Sequence, residues 1–206
     1  MKLRVEPSRT YLDPDIYILD IGFLFINMKG PVLKTKQITL RTVVPEDAKV
    51  FVQWFKDKTV IKHLLVQNSP GLAEEKKWVK NVLADKNKIV WSILAFDKKL
   101  IGNTMISLDK GNKIASFGIV IGEKEYWGKG YAVEALGLLK KYVFETLKYV
   151  RFELEYHVDN KRAKRAYEKV GFKVEGIRRK STYNSITKQF EDKIIMSILN
   201  TEYFKK

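Results

Sequence analysis

The sequence predicts an α+β fold in which a mostly antiparallel sheet is flanked by helices. Between residues 89 and 121, three strand-like runs follow one another with only short turns between them, which favours antiparallel neighbours. Farther along the chain, helix-like segments with apolar residues at helical spacing alternate with further strand-like runs. The chain has 206 residues, of which 45% are apolar and 12% aromatic, so it can fill the core of one domain that carries an appendage.

Residues 1–36 are predicted to form an N-terminal extension, and residues 37–206 the main domain. Within the extension, the apolar residues 16–26 favour one or two strands, arranged as a hairpin bent at residues 20–22. This stretch is too short and too interrupted for a membrane helix, and it starts too late for a signal peptide. We expect it to pack against the main domain, with a dimer or partner contact as the alternative.

The main domain is predicted to begin with a strand at residues 38–44. Pro45 then starts a helix, because proline fixes φ and the acids after it favour the helix dipole. Two more helices follow, at residues 60–65 and from Ser69 onward. The three consecutive strands are expected at residues 89–96, 100–108 and 113–121, with turns at residues 97–99 and 109–112.

The second half of the domain is predicted to alternate helices and strands. A helix begins near Ala132, and apolar residues alternate with polar ones in a strand at residues 150–158. Asp159 or Asn160 caps the next helix, and Gly171 ends it. Two further strands complete the sheet, at residues 174–177 and 190–198.

The turn at residues 126–131 is the most informative stretch for function. Gly128 and Gly130 allow the backbone to turn tightly and to approach a ligand closely. The N–H groups at the start of the following helix and its dipole favour an anion. Val133 stands where a dinucleotide fingerprint would need a third glycine, and no Walker A sequence follows. The turn therefore predicts a pyrophosphate cradle, with an ordinary glycine-containing helix start as the alternative.

This turn and a second stretch, residues 158–172, resemble the GNAT superfamily of acyl-CoA-dependent N-acetyltransferases. The family's phosphate motif, Gln/Arg-x-x-Gly-x-Gly/Ala, corresponds to residues 125–130, with Glu125 at the first position. A carboxylate is unfavourable beside a pyrophosphate, so we expect Glu125 to point away. The later motif, Asn-x-x-Ala…Tyr-x-x-x-Gly-Phe, is matched by Asn160, Ala163, Tyr167, Gly171 and Phe172. The resemblance spans residues 38–199 and is closest to the RimJ/RimL-type acetyltransferases of protein N-termini.

The resemblance implies acetyl-CoA as cosubstrate, no metal, and a role for each matching residue. The backbones of Val120 and Ile121 would lie against the pantetheine arm and the thioester, where one N–H would serve as oxyanion donor. Tyr167 would protonate or hydrogen-bond the leaving thiolate, although its periodic position also fits a core residue. Asn160 could equally be a simple helix cap. The implied cofactor-binding residues are Val120, Ile121, Gly128, Lys129, Gly130, Tyr131, Ala132, Asn160, Ala163 and Lys169.

The general base depends on the acceptor. An α-amine, with a pKa of about 8, loses its proton more readily than a lysine of about 10.4, a difference of about 3 kcal/mol. A protein N-terminus therefore needs little more than a positioned water and an acidic wall. Glu123, which follows the cofactor strand, is the candidate base, and Glu153 and Glu155 are alternatives. Each of the three could also be a solvated surface group.

Composition limits the partners. The chain has no cysteine, which excludes disulfides and thiolate sites and is compatible with a cytoplasmic location. His63 and His157 lie far apart in the sequence, so no zinc site is predicted. The net charge of +15 indicates an anionic partner, such as the cofactor phosphates, RNA or a ribosome, or else a lysine-rich surface. It disfavours a polycation such as spermidine unless an acidic pocket lies inside.

The sequence thus predicts a GNAT-fold enzyme that transfers an acetyl group from acetyl-CoA to a primary amine by direct attack on the thioester. The predicted acceptor is the α-amino terminus of a protein, of the ribosomal-protein type. One alternative is a small amine, namely a polyamine, an amino acid or an antibiotic. An alternative of another class is a basic RNA- or ribosome-binding module on the same fold. No membrane contact is expected, and a homodimer is compatible with the sequence.

Overall fold

The computed structural model describes residues 30–64, 69–184 and 188–205. Within these residues the chain forms one eight-stranded sheet with helices on both faces. The strands are β1 (Leu33–Lys34), β2 (Ile38–Thr42), β3 (Lys88–Ala95), β4 (Leu100–Asp109), β5 (Ile114–Ile121), β6 (Arg151–His157), β7 (Lys173–Asn184) and β8 (Gln189–Leu199). The helices are α1 (Ala48–Lys56), α2 (Lys58–Ile61), α3 (Leu72–Ala84), α4 (Tyr131–Lys141), α5 (Lys161–Val170) and α6 (Asn200–Tyr203).

The sheet has the order β1-β2-β3-β4-β5-β6-β8-β7. Among the described strands, every neighbouring pair is antiparallel except β5 and β6, which run parallel. Parallel neighbours need a crossover connection, and α4 provides it. The predicted α+β fold with a mostly antiparallel sheet is therefore confirmed.

Side-chain alternation along the strands produces two cores, one on each face of the sheet. In β5, Phe117, Ile119 and Ile121 pack on the face covered by α4 and α5. Val120 packs on the opposite face, which α1 to α3 cover. The last residues of β5 therefore contact both layers of helices.

Two element predictions need correction. The short helix expected at residues 60–65 is α2, which starts earlier because the Asp57 carboxylate accepts a hydrogen bond from Thr59 N–H at 2.8 Å. Residues 65–68, like the predicted hairpin in residues 16–26, lie outside the described part of the chain. The strand expected at residues 174–177 is β7, which is much longer than predicted. β7 continues through polar residues to Asn184, because its backbone pairs with β8 and needs no apolar face.

A buried carboxylate joins the first strands to the first helix. Asp47 is 5% exposed and accepts two hydrogen bonds from the Arg41 guanidinium, at 2.6 and 2.7 Å. The Ser92 hydroxyl and the Val44 N–H also donate to it, at 2.6 and 3.0 Å. Burial alone would raise the pKa of Asp47, but these hydrogen bonds together outweigh it and hold the pKa below its usual value.

We therefore expect Asp47→Ala to lower the free energy of unfolding by about 3 kcal/mol, since it leaves Arg41 without its partner. Because the folded-state pKa is depressed, the stabilisation is present above the unfolded pKa of about 3.9 and is lost as the pH falls through the folded value. Urea unfolding at pH 7 and pH 3 checks both points. Glu168→Ala, which breaks the exposed pair with Lys164, is the control and should cost under about 0.5 kcal/mol. Equal losses for the two variants would contradict the prediction.

Candidate functional site

The two parallel strands separate soon after they meet. Pairing between β5 and β6 covers only Ile114 to Ser116 on one strand and Arg151 to Glu153 on the other. Beyond these residues, β5 continues to Ile121 and β6 to His157 without pairing to each other. A cavity of about 890 Å³ occupies this opening and extends to the start of α4 and to α5. The cavity thus lies where the sheet itself is interrupted.

The end of β5 directs backbone donors into this opening. Gly122 N–H donates to Ile101 O on β4 at 2.9 Å. Because antiparallel pairing alternates along a strand, the N–H groups of Ile119 and Ile121 point away from β4 and toward the cavity. The Ile121 carbonyl accepts a hydrogen bond from the Trp127 indole at 2.6 Å. For Val120, the structure places the side chain, and not the N–H, at the opening.

The glycine turn borders the same cavity. Gly128 and Gly130 have φ values of 75° and 90°, in the left-handed region that favours glycine. Apart from each glycine itself and its two neighbours in the chain, no described residue has an atom within 4 Å of the position that a Cβ would take at Gly128 or Gly130. Tyr131 and Ala132 begin α4 and line the cavity, whereas Lys129 lies outside its lining, with its ammonium 5.8 Å from the Tyr126 ring centroid.

Two acidic residues before this turn bind Lys99 on the turn between β3 and β4. The Glu125 carboxylate lies 2.6 Å from the Lys99 ammonium, which agrees with the expectation that it points away from the glycines. Glu123 lies 2.9 Å from the same ammonium and accepts a hydrogen bond from the Trp54 indole at 2.7 Å. Burial raises the pKa of Glu123, but the hydrogen bonds from Trp54 and Lys99 hold it below its usual value. The candidate base, Glu123, is therefore already paired with Lys99 and Trp54. It lies beside the cavity but is not one of the residues that line it.

Helix α5 supplies the opposite wall. Asn160 caps it by accepting a hydrogen bond from Ala163 N–H at 3.1 Å, and both residues line the cavity, as does the exposed Lys169. Tyr167 is buried, and its ring lies 5.5 Å from that of Tyr156 and 5.7 Å from that of Phe117. Burial raises the pKa of Tyr167, so its hydroxyl stays protonated at neutral pH.

An aromatic–cation contact joins the two walls. The Arg162 guanidinium at the start of α5 lies 3.6 Å from the centroid of the Trp127 ring, and both residues line the cavity. Trp127 carried a prediction only as part of the motif at residues 125–130, and Arg162 carried none. A contact between residues so far apart in the chain has no signal in a single sequence.

The far end of the cavity, toward α1 to α3, is mostly apolar. It is lined by the side chains of Phe55, Val60, Leu64, Trp78 and Met105. His63 and His157 join them there. Phe51 and Trp54 are buried in the core, whereas Phe55 on the same helix also reaches the cavity.

The carboxylates at this end are paired with cations. Glu153 lies 2.5 Å from Arg151 Nε. Glu155 lies 2.9 Å from Arg178 and 3.3 Å from Lys193. Across the described ranges, no group of three or more His, Cys, Asp or Glu side chains could hold a metal ion. In those same ranges, no helix combines the length and the apolar character needed to cross a membrane.

Comparison with known proteins gives consistent matches. A family model described as an acetyltransferase (GNAT) domain matches residues 37–173. "Uncharacterized N-acetyltransferase YoaA" of Bacillus subtilis (strain 168) is 27% identical over 162 residues, which cover 76% of this chain and 91% of the relative. "Putative ribosomal N-acetyltransferase YdaF" of the same organism is 28% identical over 177 residues, which cover 82% of this chain and 94% of the relative.

Solved structures show the same architecture. The spermidine N-acetyltransferase from Vibrio cholerae, crystallised in complex with CoA and spermine, superposes with a TM-score of 0.75 over 83% of this chain and 100% of that one. The two sequences are 22% identical, so the likeness shows the fold alone. The strand separation and the glycine turn thus occur in a chain whose fold matches that of a CoA-binding enzyme.

Proposed function

Since this chain belongs to the acetyltransferase (GNAT) family, we propose that it acetylates the α-amino terminus of a protein, with acetyl-CoA as the donor. The chain is an N-acetyltransferase by family; the acceptor and the residue roles are our proposal. The observation that supports it best is the single cavity that joins the glycine turn, the separated strands and an apolar pocket. Such a cavity can hold an extended thioester with its reactive end facing an amine.

The residues at the glycine turn fit the phosphates of acetyl-CoA. The left-handed Gly128 and Gly130 leave open space where side chains would stand, and α4 begins directly after them. The N–H groups at the start of α4 can then bind a pyrophosphate. Between Lys161 and Lys180 the chain carries nine Lys or Arg and two Glu, which adds positive charge along α5 and β7.

The residues at the separated strands fit the thioester. The N–H of Ile121 points into the opening and can donate to the carbonyl oxygen as it becomes negative. One such donor typically contributes about 3 kcal/mol to the transition state. Tyr167, protonated and buried in the opposite wall, can donate to the sulfur that leaves. Glu123 fits a positioning role, since it ties α1 to the end of β5 through Trp54.

The far end of the cavity, toward α1 to α3, is the proposed acceptor end. Its lining favours an amine that stands next to an apolar group. Phe55, Trp78 and Met105 offer contact to an apolar side chain, such as the first residue of a protein. A polyamine needs unpaired carboxylates, and both Glu153 and Glu155 are already paired with cations there. The likeness to "Putative ribosomal N-acetyltransferase YdaF" supports a RimJ/RimL-type enzyme. A cytoplasmic location stays a prediction from the sequence, compatible with the absence of cysteine. Contact with a ribosome or RNA, and a homodimer, stay predictions from the sequence.

We expect acetyl-CoA to stabilise the protein against heat. At about 100 times its Kd, a ligand adds about 2.7 kcal/mol to the free energy of unfolding, which for a chain of this size raises Tm by about 5–11 °C. Differential scanning calorimetry with and without acetyl-CoA measures the shift, with adenosine alone as a control that lacks the pyrophosphate. No rise would contradict the cradle at Gly128 and Gly130, and RNA binding would be tested instead.

The acceptor is tested by thiol release from acetyl-CoA in the presence of peptides with free N-termini. The chain has no cysteine, so a thiol reagent sees only CoA. We expect turnover with peptides that begin with an apolar residue, less with those that begin with aspartate, and none with spermidine. Turnover of spermidine alone would replace the proposal with a small-amine enzyme. Salt-dependent RNA binding without any turnover would favour the binding module.

A further inference from the structure

The two histidines of the chain, remote in sequence, meet in the acceptor end of the cavity. His157 is the last residue of β6, and His63 follows α2. Their ring centroids lie 5.9 Å apart, and both side chains line the cavity. Alternation along β6 turns Phe152 and Leu154 toward the α4–α5 core and His157 toward the acceptor face.

His157 also lies at the level of the reaction. The parallel register pairs Ile114 with Arg151 and Ser116 with Glu153. Continued along both strands, the same register brings Val120 opposite His157 across the opening. His157 and the last residues of β5 thus line the same cavity, into which the Ile121 N–H points.

The hydrogen bonding of His157 is incomplete. The residue is 4% exposed, yet neither ring nitrogen makes a hydrogen bond within the part of the chain that the structure describes. Nδ1 lies 2.6 Å from Glu191 Oε2, but not in the alignment of a hydrogen bond. Buried polar groups are nearly always hydrogen-bonded. Since the Glu191 carboxylate already lies beside Nδ1, the ring nitrogen left for a partner that arrives with the substrate is Nε2.

The carboxylates near the cavity are occupied by contrast. Glu123 binds Trp54 and Lys99, and Glu153 binds Arg151. Glu155 binds two cations. Of these three carboxylates and the two imidazoles, only the imidazoles are not paired with a Lys or Arg side chain.

We infer that His157 accepts the proton of the attacking amine and that His63 passes it on to solvent. As the amine nitrogen bonds to the thioester carbon, the C–S bond breaks and its electron pair leaves on sulfur. The nitrogen gives its proton to His157 Nε2, and the thiolate takes an equivalent proton from solvent. Glu191, beside Nδ1, can receive the N–H of that nitrogen and so leave Nε2 as the acceptor.

His63 is suited to the second step. Its side chain is 20% exposed, so it links the buried ring of His157 to water. Burial lowers the pKa of His63, against the opposing charge of Asp159 at 3.3 Å, so the ring is neutral and able to accept a proton at pH 7. The charged groups around the pair are Lys62, Asp159 and Arg162 beside His63, and Glu155, Glu191 and Lys193 beside His157.

The inference rests on amine acetylation, and not on the α-amino terminus as the acceptor. His157→Asn is expected to lower kcat at pH 7 about 30-fold and to leave the Kd for acetyl-CoA within about threefold. In the wild type, kcat/KM falls at low pH as His63 becomes protonated and can no longer receive the proton. In the variant that limb disappears, and the rate instead rises with pH as the amine itself loses its proton near pH 8. An unchanged kcat or an unchanged acidic limb would overturn the inference.

His63→Gln carries the test if the His157 variant does not fold, because His63 is partly exposed. Lys62→Gln is its matched control, since it removes the neighbouring partner of Asp159 and keeps the imidazole. A tenfold loss of kcat, seen in His63→Gln alone, supports the relay; an equal kcat for the two variants overturns it. If every amine tested is inert, the proposed acceptor is wrong. The slow hydrolysis of acetyl-CoA, with water as the acceptor, then still allows His63→Gln to be compared with Lys62→Gln.

Discussion

Tyr167→Phe is expected to lower kcat about 10³-fold while the Kd for acetyl-CoA changes less than about threefold. In the proposed mechanism the hydroxyl donates a hydrogen bond to the departing sulfur, so its loss would remove an interaction made in the transition state. The ring itself stays in place, because Phe117 and Phe172 pack against it at 5.7 and 6.2 Å. The variant should therefore fold and bind the cofactor normally.

The pH dependence separates proton transfer from hydrogen bonding at Tyr167. Burial raises the pKa of this phenol above its ordinary value of about 10. A thiol like that of cysteine has a pKa of about 8.5, so complete transfer to the thiolate would cost at least about 2 kcal/mol. We therefore expect Tyr167 to stabilise the sulfur by a hydrogen bond. The wild-type rate should then show no change below pH 9 that comes from ionisation of Tyr167.

Pre-steady-state thiol release, together with calorimetric cofactor binding, measures both quantities for Tyr167→Phe. Tyr142→Phe is the matched control, because Tyr142 is a buried tyrosine whose ring packs on Trp91, away from the cavity. It should change kcat less than twofold. If Tyr167→Phe keeps wild-type kcat, Tyr167 is a core residue, which is the alternative that its periodic position allows.

Gly130→Ala is expected to raise the Kd for acetyl-CoA about 100-fold, equivalent to about 2.7 kcal/mol. A Cβ at this residue would project into the open space above the start of α4. It would keep the pyrophosphate from the N–H groups there, and each hydrogen bond to a charged group contributes about 1.5–3 kcal/mol. The left-handed backbone adds a separate cost of about 1–2 kcal/mol to folding.

Gly171→Ala separates these two effects. Gly171 ends α5 with a φ of 102°, close to the 90° of Gly130, and a Cβ there would also meet open space. Unlike Gly130, it does not line the cavity. Both variants should lose similar stability in urea, and only Gly130→Ala should lose affinity in calorimetric titration. If the two variants lost the same affinity for acetyl-CoA, the loss in Gly130→Ala would come from the destabilised fold and not from a lost contact with the pyrophosphate.

Local patterns in the sequence predicted the fold well, because its signals lie within single elements. Alternation located β3 to β6 to within a residue or two, and the cap at Asn160 and the end at Gly171 bounded α5. β7 escaped prediction since its stability comes from pairing with β8 and not from an apolar face. A single sequence contains no record of which strand a polar segment will join.

The site was harder to predict, because its contacts join distant parts of the chain. The glycine turn and Tyr167 carry motifs and could be proposed in advance. The approach of His63 to His157 and the stacking of Arg162 on Trp127 depend on how the strands separate. Glu123 looked like a base from its place after β5, but its bonds to Trp54 and Lys99 were not visible in the sequence.

The separation of β5 and β6 also sets a limit on how this protein can be improved. Each strand gives up ladder hydrogen bonds beyond Ser116 and Glu153, and each such bond is worth about 1 kcal/mol net. Selection for thermostability alone would favour sequences that bring the strands back together. Those sequences would fill the cavity, so stability and turnover oppose each other here. A useful stabilised variant must therefore come from elsewhere in the fold, with the gap left open.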